Sequence, residues 1–326
     1  MAINLKQIKP HKISKNLDGY TIYMYGPGGV GKTTFACEIP HSLLLAFEHG
    51  YGALNVEAPV DITSWTDVKS MLRQLDDPEI KATYKVIIFD TVDKAAALCE
   101  KYVCSQLGIE NIGDGGWSVN GWSKVKKEWE QTLNTIQMKG YTLFFISHAK
   151  EKTIKRKDGT EYNQIAPACP NTYNEIVRNL VDIEAYANIE DGNRKLIIRE
   201  PNDFIECKSR IKYIPATVGF SYQELSSAIA QAIDKEEEVK GAGAVTTERE
   251  KVLPIEPTSE EYNYDALMAE FNDLVSQVMN ANQSNGAKIT AIVDNFLGKG
   301  KKVTEATRDQ AEFIFLINDE IRATLL

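Results

Sequence analysis

The residues Gly26-Pro27-Gly28-Gly29-Val30-Gly31-Lys32-Thr33 have the spacing G-x-x-x-x-G-K-T, and residues of these types in this order cradle phosphate chains. Glycines let consecutive backbone N–H groups turn inward around an anion. Lys32 would reach the terminal phosphates and the Thr33 hydroxyl would ligate Mg2+, with Thr34 completing the set around the nucleotide. The competing reading is a glycine-rich turn with a chance lysine. A metal held this way needs a second anchor, an acid at the end of a neighbouring apolar strand, and Asp90 closes Val86-Ile87-Ile88-Phe89. Asp90 could also cap the helix expected from Val92, and both roles can hold. Hydrolysis requires a residue that orients and deprotonates water. Thr91, not a glutamate, follows Asp90, so the base is not adjacent. Glu48 is the candidate, because ligand-side chemistry in open α/β sheets gathers at strand carboxyl ends. The plainer reading makes Glu48 a surface acid beside Gly50 and Gly52.

The elements needed to position these groups are legible. Thr21–Tyr25 is β-branched and aromatic and predicts a buried strand before the loop, with a helix over Lys32–Glu38 after it, closed by Pro40. Ser42–Phe47, Val86–Asp90 and Tyr141–Ser147 predict further apolar strands, separated by helices over Trp65–Leu75 (capped by Ser64), Val92–Leu107 and Trp122–Met138. Strands alternating with helices predict a parallel sheet covered on both faces. Beyond Ser147 the spacing predicts a hairpin, Thr153–Lys157 and Thr160–Ile165, about Asp158-Gly159. A helix over Thr172–Val181 follows, then strands Ile183–Asn188 and Lys195–Arg199 joined at Asp191-Gly192, and a helix over Tyr222–Glu237. The fold class expected is α/β, with an ATPase-type core over residues 1–237. An acidic flexible linker is expected over 238–261 and a small all-α module over 262–326. That module's helices are expected at Tyr264–Met279, Ile289–Phe296 and Thr304–Ala323, with Phe313, Phe315, Leu316 and Ile317 thickening an apolar stripe.

A chain of 326 residues, 43% hydrophobic and 25% charged, can bury a substantial core. Its apolar runs are too short to span a bilayer, and the polar, lysine-rich Met1–Lys15 has no signal-type apolar stretch, so no membrane partner and a cytoplasmic location are expected. The 5 cysteines lack metal-type pairing, which favours reduced thiols. The net charge of −9 argues only weakly against nucleic acid, because residues 234–261 carry nine acids and four bases whereas Lys150–Lys157 carries five bases and one acid.

The order of these motifs resembles the RecA-like ATPase family. It runs from the phosphate loop through Glu48-His49 and Ile87-Ile88-Phe89-Asp90-Thr91 to Phe144-Phe145-Ile146-Ser147-His148. His148 stands where relatives carry a polar sensor of the γ-phosphate, usually glutamine, and is a departure from RecA itself that still supplies a hydrogen-bonding group. Within the family the chain looks like the phage-encoded ATPases of recombination and single-strand annealing, the Sak-four type. The likeness extends over about Tyr20–Ile233, including Ser147-His148-Ala149-Lys150 through to Pro167, but not the C-terminal helices. It implies ATP and Mg2+, hydrolysis to ADP and phosphate stimulated by DNA, and the cytoplasm of a phage-bearing host. Cys207-Lys208-Ser209-Arg210 falls where hexameric relatives carry a K-x-R pair. The resemblance thus implies that Lys208 and Arg210 reach a neighbouring subunit's nucleotide, in a ring or filament. The plain reading is two solvated bases.

Two segments occupy the positions where RecA relatives grip single-stranded DNA. One holds Trp117 in the glycine-rich stretch before Lys124, Lys126 and Lys127. The other holds Lys152, Lys155, Arg156, Lys157 and Tyr162. Bases on a hairpin bind phosphates, and aromatics stack on nucleobases; the alternative is a hairpin kept soluble by lysines, with Trp117 and Trp122 in the core. The expected activity is a DNA-stimulated ATPase that promotes annealing or strand exchange, assisted by a single-strand-binding or annealing partner on the C-terminal module. The alternatives are a helicase or helicase loader of the same fold, and a nucleotide-gated adaptor that recruits a partner through that module.

Overall fold

A computed structural model describes residues 13–54, 56, 59–114, 116–241, 245–246 and 263–325. They fall into two compact units, one within Ile3–Pro254 and one within Ile255–Leu326. In the first, β1 (Ile13–Ser14) precedes β2 (Ile22–Gly26), and the glycine loop leads into α1 (Lys32–Cys37). There follow β3 (Ser42–Ala46), β4 (Pro59–Asp61), α2 (Trp65–Gln74), α3 (Pro78–Thr83), β5 (Val86–Asp90) and α4 (Val92–Leu107). Next come α5 (Gly116–Val119), α6 (Gly121–Met138), β6 (Thr142–Lys155), β7 (Glu161–Pro167) and α7 (Asn171–Leu180). β8 (Ile183–Glu190), β9 (Asn193–Ile197), β10 (Lys208–Ser209), β11 (Thr217–Gly219), α8 (Tyr222–Lys240) and β12 (Val245–Thr246) complete the unit.

The main sheet has the order β11-β9-β8-β2-β6-β5-β3-β4, with β10 beside β8 and β7 beside β6. From β8 to β4 every neighbouring pair is parallel. The strands at the other edge, and β7, are antiparallel to their partners. This is the α/β architecture expected. Strand alternation splits the core in two. Tyr23, Ile87, Phe89 and Phe145 point to one face, under Trp65, Val103, Trp129 and Val177 of the covering helices. Ile22, Met24, Ile88, Phe144 and Ile146 point to the other, against Phe35, Leu225 and Ile229. Each such large side chain stabilises the fold by about 1.5–3 kcal/mol on burial. Ser64 caps α2 as expected, in a reciprocal box with Asp67.

The register fixes the working edge. Gly26 pairs with His148, Asp90 with Ile146, and Ala46 with Asp90, so the carboxyl ends of β2, β3 and β5 lie level with the middle of β6.

Three expectations need correction. The strand expected to stop at Ser147 continues to Lys155, because β7 takes up its backbone pairing from Ala149 opposite Pro167 to Lys155 opposite Glu161. The expected linker at 238–261 is structured at its start: α8 continues to Lys240, and Val245–Thr246 pairs in parallel with Ile13–Ser14. Residues 242–244 and 247–261 of that stretch lie outside the described residues. In the C-terminal unit, α9 (Tyr264–Ala281) and α10 (Gly286–Leu297) form as expected, but α11 (Ala311–Leu325) starts later than Thr304. Single 3-10 turns at Val303–Glu305 and Arg308–Gln310 occupy the difference, the second closed by Thr307 and Gln310. The apolar face of α11 is Ile314, Ile317 and Ile321, packed with Leu274, Val278, Ile289, Ile292 and Val293, while Phe313 and Leu316 are exposed. Among the described residues no helix is long and apolar enough to cross a membrane.

Candidate nucleotide site

β2 ends at Gly26, where β8 passes so close that a Cβ would lie 2.6 Å from the Ala187 carbonyl oxygen. A residue without a side chain is required there. The chain then turns through Gly29 (φ 77°) and Gly31 (φ 100°), both in the left-handed region. Val30 between them is buried and anchors the loop in the core, while Pro27, Gly28 and Gly29 are open to solvent. Among the described residues no side chain caps α1 at Gly31, so the leading N–H groups around Lys32, Thr33 and Thr34 have no side-chain acceptor there. Lys32 folds back over this loop, its Nζ donating to the carbonyl oxygens of Gly26 and Pro27 at 2.9 Å each. Burial lowers the Lys32 pKa, against the opposing pull of Asp90, Asp93 and Glu48. A phosphate oxygen is a stronger acceptor for that ammonium than either carbonyl.

Thr33 Oγ1 donates to Asp90 Oδ2 at 2.6 Å, joining the two residues expected to hold the metal. Burial raises the Asp90 pKa, with the Thr33 bond working against it. A hydroxyl and a carboxylate converging beside a phosphate loop suit Mg2+, which takes hard oxygen ligands and keeps only one or two from protein. The donor set fits the ion.

Glu48, just past β3, reaches the same strand edge. Its Oε1 accepts from Thr91 Oγ1 at 2.8 Å, and its Oε2 lies 3.4 Å from His148 Nε2. Glu48 and Asp90, at strand ends, and His148, midway along β6, lie together at this edge of the sheet. Asp93 joins them although nothing in the sequence marks it, since an acid in a helix's first turn is commonplace. It accepts from Ser147 Oγ and, at 3.0 Å, from the His148 backbone N–H. Burial pushes its pKa up.

Lys208 and Arg210 are placed elsewhere. β10 pairs with the start of β8, Lys208 opposite Glu184, and β8 pairs there with Ile22, at the opposite end of β2 from Gly26. Lys208 Nζ donates to the Arg178 carbonyl, and burial lowers its pKa. Arg210 binds Asp182 at 3.0 Å and the Asn179 carbonyl at 2.7 Å. Neither reaches the phosphate loop of its own chain.

The hairpin bases divide. Lys155, Arg156 and Lys157 are exposed at its tip, with Arg156 4.5 Å above the Tyr162 ring. Lys152 is not free for a ligand: it pairs with buried Glu206, which also binds Arg178 at 2.8 Å. A buried carboxylate left with one cation fewer is costly, which explains why Lys152 turns inward. Phe204, unmarked by the sequence, is exposed and packs edge-on to Tyr162 at 5.9 Å. The Trp117 side chain lies outside the described residues, and Trp122 is exposed instead of joining the core.

A parallel sheet whose central strand feeds a glycine–lysine–threonine loop, with acids at the neighbouring strand ends, defines a nucleotide-binding ATPase. Residues 18–211 match the AAA domain family, and the chain belongs to it. Members use ATP with Mg2+, and the residues around Gly26–Thr33 fit both. The chain is 30% identical to the SPbeta prophage-derived uncharacterized protein YorG of Bacillus subtilis (strain 168), in an alignment covering 100% of this chain and 99% of the relative.

Proposed function

We propose that this ATPase acts on single-stranded DNA in phage-type recombination, promoting annealing or strand exchange in the manner of the Sak-four group. One observation carries the reading. β6 runs unbroken from His148, which contacts Glu48, to Lys155 at the tip of the basic hairpin. A polyanion held at that tip is thereby linked through one strand to the group that would activate water.

In this mechanism Lys32 would exchange its two carbonyl partners for phosphate oxygens, and Thr33 and Asp90 would hold the metal. Mg2+, when bound, neutralises charge on the phosphates. Glu48 takes the proton of the attacking water once its bonds to Thr91 and His148 loosen. His148 reports the terminal phosphate to β6, and Asp93 fixes its backbone. Lys208 and Arg210, remote from their own loop, serve the nucleotide of a neighbour in a ring or filament. Lys155, Arg156 and Lys157 hold backbone phosphates, and Tyr162 stacks on a base. The prophage origin of the relative supports a phage setting, in the host cytoplasm. The exposed Phe313 and Leu316 of the C-terminal unit offer contacts for a single-strand-binding or annealing partner.

The test compares ATP turnover by the purified full chain with and without single-stranded oligonucleotide, alongside annealing of complementary strands. Stimulated turnover with faster annealing is expected. Directional unwinding of a fork by the protein alone would reject annealing in favour of a helicase, and turnover indifferent to DNA would reject the nucleic-acid reading.

A further inference from the structure

Arg194 lies on β9, just after the Asp191-Gly192 turn of the β8–β9 hairpin, opposite Ile189 in the ladder. Because β8 packs against β2 at Gly26, the hairpin stands beside the glycine loop. The Arg194 guanidinium closes on Gly31: its Nη1 is 3.0 Å, and its Cζ 3.7 Å, from the point a Cβ on that glycine would occupy. The Phe220 ring edge is 3.5 Å from the same point. Among the described residues this guanidinium makes no hydrogen bond and no ion pair. Arg178 and Arg210, by contrast, are each neutralised by a carboxylate.

An exposed arginine with no partner is ordinary. One whose guanidinium lies against the glycine loop itself is placed to reach an anion bound there. No carboxylate of the described chain takes that place at Arg194. Topology then says which part of a nucleotide it meets. Asp90, Thr91, Glu48 and His148 come from β5, β3 and β6, on one side of β2, whereas β8 and β9 lie on the other. The water-activating groups thus face the terminal phosphate from one flank, and Arg194 faces the loop from the opposite flank. Ile189, beside Arg194 on the same face of the hairpin, is an exposed apolar side chain.

We propose that Arg194 is a nucleotide-binding residue supplied in cis, pairing with the phosphates that are not transferred and holding ADP and ATP alike. This rests on the reading of Gly26–Thr33 as the nucleotide loop. It assigns to the β8–β9 hairpin a binding role distinct from the reach of Lys208 and Arg210 into another subunit.

The test uses the full chain with Arg194→Ala and Arg194→Lys, measuring Mg-ADP affinity by calorimetry, steady-state ATP turnover, and the melting temperature without nucleotide. Loss of a charge-assisted bond should weaken Mg-ADP binding and raise KM for ATP by roughly 10- to 100-fold in Arg194→Ala. Meanwhile kcat should change less than about threefold. Arg194→Lys should recover part of the affinity, and the nucleotide-free melting temperature should stay put. Unchanged Mg-ADP affinity in Arg194→Ala would overturn the proposal. So would a collapse of kcat with ADP binding intact, which would put the guanidinium on the transferring phosphoryl group. A wild-type chain that bound no Mg-ADP would bring down the nucleotide reading itself, and that outcome is distinct from either.

Discussion

Glu48 is held at both oxygens, by Thr91 at 2.8 Å and His148 at 3.4 Å. An amide in its place keeps bonding capacity but loses basicity. Glu48→Gln should therefore bind Mg-ATP nearly as the wild type does and lose turnover by about 10²- to 10⁴-fold, whereas Lys32→Ala should abolish binding. Calorimetry and a phosphate-release assay separate the two, and equal turnover in Glu48→Gln would remove it as the base. At this scale the placement of the candidate site is legible wherever it follows from contiguity or from a strand end. Gly26–Thr33 is one unbroken phrase, and Asp90, Glu48 and His148 each terminate an apolar run. Asp93 and Arg194 were not legible because their positions depend on pairings between segments far apart in the chain. Asp93 matters through Ser147 and His148 of β6, and Arg194 through the close approach of Ala187 to Gly26.

At the scale of elements, β6 is half sheet and half hairpin. Thr142–Ser147 are buried, His148–Lys150 are half-buried, and from Glu151 onward it alternates between exposed and half-buried. The turn at Asp158-Gly159 could be read directly, since Asp158 caps Thr160 and Gly159 takes φ 87°. Continuity across Ser147 could not, because polar residues after an apolar run look like a strand's end when the β7 partner is unseen. Replacing Lys155, Arg156 and Lys157 with neutral residues should weaken single-strand binding. The slope of log affinity against log salt should fall by roughly 2, as expected for three lost phosphate contacts on a single strand. Fluorescence anisotropy over a salt series measures both, and an unaltered slope would move the contact away from the hairpin tip.

At the scale of the whole molecule, a charged cluster around two buried carboxylates ties the far strand ends to the hairpin. Glu184 is fully buried, bound at 2.8 Å by Arg178, which also binds Glu206, and Glu206 takes Lys152. Burial lifts the Glu184 pKa to about 7 from 4.5, with Arg178 opposing the rise. A carboxyl raised on folding binds its proton more tightly in the native chain. Its contribution is thus fully present below about pH 4.5 and is lost as pH climbs through about 7. The wild type should lose about 3 kcal/mol across that window relative to Glu184→Gln, which mimics the protonated form. Urea denaturation at stepped pH gives the difference, and parallel curves for the two chains would exclude Glu184 as its source. Such a cluster is invisible in the sequence, because its four side chains come from β6, α7, β8 and the segment before β10.

The placement of β2 at the centre of the sheet carries a consequence for biosynthesis. Ile22 pairs with Phe144 on one side and Ile183 on the other, so the strand leading to the loop leaves the ribosome long before either neighbour exists. A segment that ends fully buried must wait, sheltered by chaperones or transient collapse, until the chain has been made past β8. Nascent chains can acquire affinity for nucleotide only after that late docking, and ligand captured then favours the finished fold over every incomplete one.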